Sequence, residues 1–442
     1  MNRRHIFSLL ICLSACQAKP HYPLRSDVSQ DYSFEPIEEP VHVPPTTTGR
    51  VPLNSQEISF SQPHNRHVLS LNAQGNGLLV SGAAESSEPL SIHAITQFAL
   101  QKETSYTYSD LVGVPAAAYK VFMNEAGQGQ VIVVNTASSI PPFAVAPAVS
   151  RGADNSPLEI RTLAISDFKP AEKPELITVP GRFSRITPGQ VLVNEEGNGF
   201  MSLQVIDAPE ASSPSPVFRW IFLPIRSHRV ESTPVKTLDI SGVSGEIDGV
   251  WLNAEEDGFV LYRQAPHRWF VRSIYRGKVS DQAITLGDAL TGSRPKVEVD
   301  AAGMGSIHFI QTDRLQQLRW LDGFSIAQPQ ILPLPPLPEN YSLVSSFKGK
   351  RGSVVEIPSM PNQDNTWTLK SYHLDQGELQ HSSQFTYAMD PIRILGGGTT
   401  LNLTPHGDGL FAWSTLQKGG MNGTIHLRSF EGFQFVDSEH SP

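Results

Sequence analysis

One short pattern recurs along the chain and limits what it can fold into: an alternating apolar segment, an Asn or Asp, two glycines one residue apart, and a second apolar segment. Clear copies occupy residues 69–78, 121–130, 191–200 and 401–410, with Asn72, Asn124, Asn194 and Thr404 at the strand exit. Altered copies occupy 250–259, where Glu256 stands in place of the first glycine, and 297–306, led by Asp300. A seventh, at 346–354, keeps little beyond Gly352 and the strand after it. Apolar alternation is the period of a half-buried strand, Asn and Asp favour strand exits, and glycine supplies the positive φ of tight turns. Each copy therefore reads as a β-hairpin. With Gly 34 and Pro 35 in 442 residues, interruptions are too frequent for long helices.

A third strand and another turn follow most copies, at 274–277, 320–323, 372–377 and 430–432, which makes four strands per repeat. The closing glycines recur about every 55 residues from Gly77 to Gly409, slightly above the span of a four-stranded propeller blade. The expected fold class is all-β, a β-propeller of seven blades of four antiparallel strands over residues 58–437. The body resembles bacterial β-propeller proteins whose blades open with an apolar strand and an Asn/Asp-x-x-Gly-x-Gly turn. An open β-solenoid or a pair of β-sandwiches is the competing architecture. A closed ring accounts better for even spacing, because closure protects strand edges that a solenoid must cap.

The first residues give an address. Arg3 and Arg4 open the chain, residues 6–13 are apolar apart from Ser8, and Leu13-Ser14-Ala15-Cys16 follows, as in an export signal with its cleavage site. The apolar stretch is far shorter than the roughly 20 residues of a spanning helix. Leu13-Ser14-Ala15-Cys16 resembles the lipobox of bacterial lipoproteins, which implies cleavage before Cys16 and lipid attachment to its thiol and new amino group. Gln17 follows where an aspartate would suggest inner-membrane retention, so the outer membrane is favoured. An ordinary secretory signal is the alternative. The expected organisation is a signal peptide at 1–15, a Pro-rich disordered tether at 16–57, the propeller, and a disordered tail at 438–442. Cys12 leaves with the signal and Cys16 is consumed by lipid, so no cysteine remains for a disulfide, a metal or a nucleophile.

A formal charge of −9 with no basic stripe argues against a nucleic-acid partner. In a four-stranded meander, the first-to-second and third-to-fourth turns share one face of the ring, and the remaining connections share the other. The glycine turns are alike, so the variable loops are expected to form the working face. The most unusual loop spans 135–157, and its Ile140, Phe143, Val145 and Val149 are the candidate binding residues. The bland reading is a loop packed on its own blade. The Pro-rich segment 331–338 reads as an interblade connector.

The acidic clusters at 194–198 and 253–257 invite a calcium reading, but solvated turns collect the same residues. Arg268, Arg272 and Arg276 fall on one side of a strand, as an anionic docking stripe or a charged blade edge. Gly242-Val243-Ser244-Gly245 is one residue short of a nucleophile elbow, and His64 and His67 have no helix to present them to zinc. Residues 362–367 keep only Thr-Trp of the sialidase-type box. No catalytic residue, metal or cofactor is assigned. The expected function is a binding or assembly scaffold in the cell envelope, held to the membrane by lipid, monomeric outside its complex, and engaging a protein or glycan through the variable-loop face. The alternative is a carbohydrate-active enzyme, which calls for a carboxylate pair and aromatic platforms in a deep pocket; a scaffold calls for a broad apolar patch.

Overall fold

The computed structural model describes residues 56–60, 66–82, 89–112, 119–134, 158–181, 183–207, 218–240, 242–265, 267–360, 366–388, 393–416 and 423–436. These residues form seven antiparallel sheets in chain order, and no helix occurs among them. Blade 1 comprises Arg66–Leu71, Gly77–Gly82, Pro89–Thr96 and Ala99–Val112. The opening strands of the other blades are Tyr119–Met123, Phe183–Val193, Glu246–Leu252, Lys296–Val299, Tyr341–Lys348 and Arg393–Leu403. In blades 2 to 5 the outermost strand is broken into two short pieces that both pair with the third strand.

Blade 7 shows how the ring closes. Its third strand, Gly423–Glu431, also carries two outer pieces, but they come from opposite ends of the chain. Gln434–Phe435 continues from the third strand, whereas Gln56–Phe60 arrives from the start of the body and pairs antiparallel from Gln56↔Leu427 to Phe60↔Gly423. Gln56 Oε1 also accepts the Leu100 N–H of blade 1, so this closing strand ties the last blade to the first.

The core is divided among the blade interfaces, one apolar cluster to each. Leu78 and Val80 of blade 1 meet Val131 and Val133 of blade 2, and the sequence of clusters runs round to Leu410 and Ala412 of blade 7 against Leu69 and Leu79 of blade 1. Because both faces of every blade are covered, second strands are buried along their length; Gly77–Gly82, Gly129–Val134 and Gly305–Ile310 have no exposed residue. The opening strands of blades 1 to 4 lie against one another in succession, as do those of blades 6, 7 and 1, which places them around the centre of the ring.

The glycine pattern now has a physical cause at each position. Gly75 has φ +75°, and a Cβ there would lie 2.5 Å from the ring of Phe98. Gly77 has ordinary φ, yet its Cβ would fall 1.9 Å from the Ser70 carbonyl oxygen across the hairpin. The first glycine thus provides a left-handed turn with room for an aromatic ring, and the second lets two strands approach. Phe98 sits in the third-to-fourth turn, itself at positive φ, and its N–H donates to the Gly75 carbonyl at 2.9 Å. The same bond joins Phe168 to Gly127, His228 to Gly197, Phe324 to Gly303 and Phe433 to Gly407. In blade 4 the roles exchange: Glu256 takes the left-handed position and Gly277 donates to its carbonyl at 2.8 Å.

These bonds put both turns of each blade on one face, as the meander requires. Asn72, Asn124 and Asn253 extend the lock by donating from their amides to the Glu125, Glu195 and Ala301 carbonyls of the next blade. The seventh copy is a different turn: Lys348 pairs with Arg351 around a two-residue loop, Gly349-Lys350, with Gly349 at φ +60°.

Candidate functional site

The interface between blades 5 and 6 departs from the other six. It holds the smallest set of buried apolar side chains, Leu318, Leu332, Leu334, Phe347, Val354, Tyr372 and Leu374. Four buried polar residues accompany them, with His308, Gln316, Ser345 and Glu356 each no more than 4 % exposed. The opening strand of blade 5, four residues from Lys296 to Val299, is also the shortest of the seven. Above its start, on the face opposite the glycine turns, lies a cavity of about 420 Å³. Its wall comes from the connection into blade 5, the end of that blade's second strand, the connection into blade 6 and the first half of that blade's opening strand.

The Pro-rich segment 331–338 is an interblade connector and contributes Leu337 to this wall. Its leucines alternate with prolines, so Leu332, Leu334 and Leu337 bury inward while Pro333, Pro335, Pro336 and Pro338 stay exposed. Arg314, in the second-to-third turn of blade 5, fixes the connector: its carbonyl accepts the Leu337 N–H at 3.1 Å, and its guanidinium pairs with Glu339 at 3.1 Å. Prolines add stiffness by fixing φ.

Besides Glu339, the wall carries Arg294, Lys296 and His308. Lys296 Nζ donates to the Ser345 carbonyl and pairs with Glu298 Oε1 at 2.7 Å, which bridges the two opening strands. Glu298 Oε2 in turn accepts the Phe347 N–H at 2.6 Å. Arg294 on the rim pairs with Asp248 of blade 4 at 3.0 Å; burial holds the Asp248 carboxyl above its usual range, against the pull of Arg294 and Arg263. His308 is buried, with Nδ1 3.3 Å from Ser345 Oγ and the Gln316 side chain as a hydrogen-bond neighbour of its ring. Burial, reinforced by Lys296, lowers the His308 pKa to about 4, so the ring is neutral at physiological pH.

That shift has a measurable consequence. A histidine ordinarily titrating near 6.5 but held at about 4 in the fold binds fewer protons folded than unfolded between those values, so stability falls as pH drops through this window. The wild-type chain is expected to lose about 3 kcal/mol from this residue between pH 6.5 and 4. In urea melts at several pH values, the stability gap between wild type and His308→Gln should shrink by that amount on acidification; a constant gap would refute the assignment.

Cys16, Ile140, Phe143, Val145 and Val149 lie outside the described residues. The acidic segments act as turns: Asn194 Oδ1 accepts the Asn198 N–H, Asn253 Oδ1 accepts those of Glu255 and Asp257, and Asp257 Oδ1 accepts that of Arg276. Among the described residues, no group of three or more His, Cys, Asp or Glu side chains is placed to hold a metal. The arginine stripe is broken up, because Arg268 pairs with Asp288, Arg272 packs over the Tyr262 ring and Arg276 leaves the strand in a turn. Its strand is the third of its blade, flanked on both sides, rather than an edge. Ser244 is exposed and accepts from Gln264, and His67 is buried beside Ser414.

Neither of the two expected surfaces occurs among the described residues. The exposed large apolar residues Leu176, Tyr275, Met304, Ile331, Met360 and Leu379 belong to six different elements and line no part of the cavity. The only carboxylate in the cavity wall, Glu339, is the one paired with Arg314. The sequence offers one signal for this site, a histidine, His308, within the apolar strand that follows a glycine turn.

No family model matches the sequence, and no curated protein matches it. Among solved structures, a polysaccharide lyase of the ulvan lyase family PL25 aligns over 86 % of this chain and 97 % of its own at 9 % identity and a TM-score of 0.47. The WD40 domain of coronin from Toxoplasma gondii aligns over 88 % of each chain at 9 % identity and a TM-score of 0.44. A post-proline cleaving enzyme from Rickettsia typhi aligns over 80 % of this chain at 9 % identity and a TM-score of 0.40, and this chain spans 49 % of that enzyme's length.

Proposed function

We propose that the protein is a lipid-anchored binding module of the bacterial cell envelope, engaging a protein partner through its variable-loop face. The observation that supports this reading is the contrast between the two faces. One is a ring of turns, six of them built on the same hairpin pattern, whose polar groups are spent on each other within blades and, at Asn72, Asn124 and Asn253, between them. The other has connections of unequal length and composition and the polar cavity between blades 5 and 6. Binding surfaces are built on variable loops carried by a rigid scaffold. Leu13-Ser14-Ala15-Cys16 supports the anchor, and several acyl chains on one residue give stable membrane attachment.

Two variants test the proposal. Cys16→Ser should shift the protein from the membrane fraction to the soluble fraction, and retention at the membrane would refute lipid attachment. Deleting residues 140–149 removes Ile140, Phe143, Val145 and Val149 and should reduce recovery of the envelope partner while leaving the melting temperature of the ring unchanged. Undiminished recovery would remove that loop from the binding surface.

A further inference from the structure

We propose that the seam between blades 6 and 7 is an acid-sensitive latch. The His373–His381 pair holds blade 7 in place while uncharged and releases it when both rings take up protons. On the glycine-turn face this seam is built differently from others in the ring. Asn72, Asn124 and Asn253 reach from their turns to the next blade, whereas the two-residue turn of blade 6, Gly349-Lys350, has no asparagine to do so. Phe433, in the last turn of blade 7, is held by blade 6 instead. Its ring stacks on that of His373 at 4.4 Å with the planes 2° apart, and its carbonyl accepts the Ser353 hydroxyl at 2.8 Å. Two residues on, the Phe435 N–H donates to Ser383 Oγ at 3.2 Å.

His373 and His381 are direct partners across the third and fourth strands of blade 6, with ring centroids 4.5 Å apart and Nδ1 atoms 3.5 Å apart. Such a contact needs one nitrogen with a proton and one without, so it tolerates at most one imidazolium. With both rings charged it has two donors, no acceptor and two like charges facing each other.

The surroundings favour the uncharged pair. Burial holds both rings below the ordinary histidine range; at His373 the His381 ring and Arg351 add to this against Asp375, and at His381 a backbone hydrogen bond with Gly432 opposes it. The neighbouring carboxylates are engaged or in solvent: Asp375 pairs with Arg351 at 3.1 Å, Asp408 of blade 7 accepts the Gly432 N–H, and Glu378 and Glu431 are exposed. Arg428 of blade 7 lies over the Phe385 ring and adds a positive charge to the same seam. His426 stacks on Trp413, which packs on Phe385, and burial lowers its pKa too, against the pull of Glu57. Groups held below their ordinary value bind fewer protons in the closed seam than in an open one, so the seam weakens as pH falls below 6.5.

The test is hydrogen exchange on the full-length chain purified in detergent, at about pH 7.5 and about pH 5, with protection corrected for the pH dependence of chemical exchange. The amides of 432–436 include Phe435, which bonds across the seam, and are compared with those of 323–327, the corresponding turn of blade 5. On acidification, protection at 432–436 should fall at least about tenfold more than at 323–327. His381→Gln keeps the His373 stack on Phe433 and removes the second charge, so it should cut that difference to less than about threefold. A melt at the higher pH establishes that the variant folds, and the wild-type comparison of the two turns decides on its own if it does not. An equal fall in both turns, or the full difference retained in folded His381→Gln, would overturn the proposal.

Discussion

Removing residues 56–60 is expected to cost about 5 kcal/mol and to broaden or abolish the cooperative unfolding transition. The five-residue closing strand pairs along its length with Gly423–Leu427, and each backbone bond contributes about 1 kcal/mol net. Ile58 packs against the cluster between blades 7 and 1, which adds burial of about 1–2 kcal/mol for a half-buried isoleucine. Glu57 Oε1 lies 2.9 Å from His426 Nδ1, and the other nitrogen of that ring meets Thr415 Oγ1 at 2.7 Å while the ring stacks on Trp413. Loss of the strand therefore uncovers a polar residue that is 6 % exposed as well as an open sheet edge. A peptide of residues 52–62 added to the truncated chain should restore part of the stability. An unchanged urea midpoint after the deletion would mean that the ring closes in some other way.

Gly77→Ala is expected to destabilise by about 4 kcal/mol, a loss in the range reserved for named structural faults. Its added methyl would lie 1.9 Å from the Ser70 carbonyl oxygen, a backbone atom of the paired strand that can move only by parting the hairpin. The equivalent glycines Gly129, Gly199, Gly258, Gly305 and Gly409 meet the carbonyl oxygens of Phe122, Leu192, Trp251, Glu298 and Asn402 in the same way. Gly432→Ala is the control. Its φ is +54° and nothing lies within 4 Å of the added atom, so only the left-handed backbone penalises alanine, by about 1 kcal/mol. Equal losses at the two sites would show that close approach across the hairpin is not what selects glycine there.

The blades were legible because their turn glycines answer to steric demands that no other residue meets, and those demands repeat. The aromatic half of each lock was not. Phe98, Phe168, Phe324 and Phe433 also recur, each just after a strand, but the loop between second and third strands changes length from blade to blade and removes any fixed spacing from Gly75, Gly127, Gly303 and Gly407. The closing strand has five residues and a partner at the far end of the chain, so nothing local announces it. The seventh turn carries a weak pattern because a two-residue loop has no place for the longer motif.

The cavity was hidden for a different reason. Lys296, His308, Leu337 and Tyr341 come from separate strands and a connector, and only blade packing brings them together. Pairing in the fold also decides what charge alone leaves open: Arg268, Arg272 and Arg276 resemble a docking stripe in sequence and are engaged or dispersed in the structure.

The division of labour between the two faces is tested most directly by photo-crosslinking in cells with the full-length chain. A crosslinking residue at Thr291 or Glu339, both exposed beside the cavity, should trap an envelope partner. The same residue at Gln128 or His406, both exposed in glycine turns, should trap none. Crosslinks from the turn positions, with none from Thr291 or Glu339, would contradict the account.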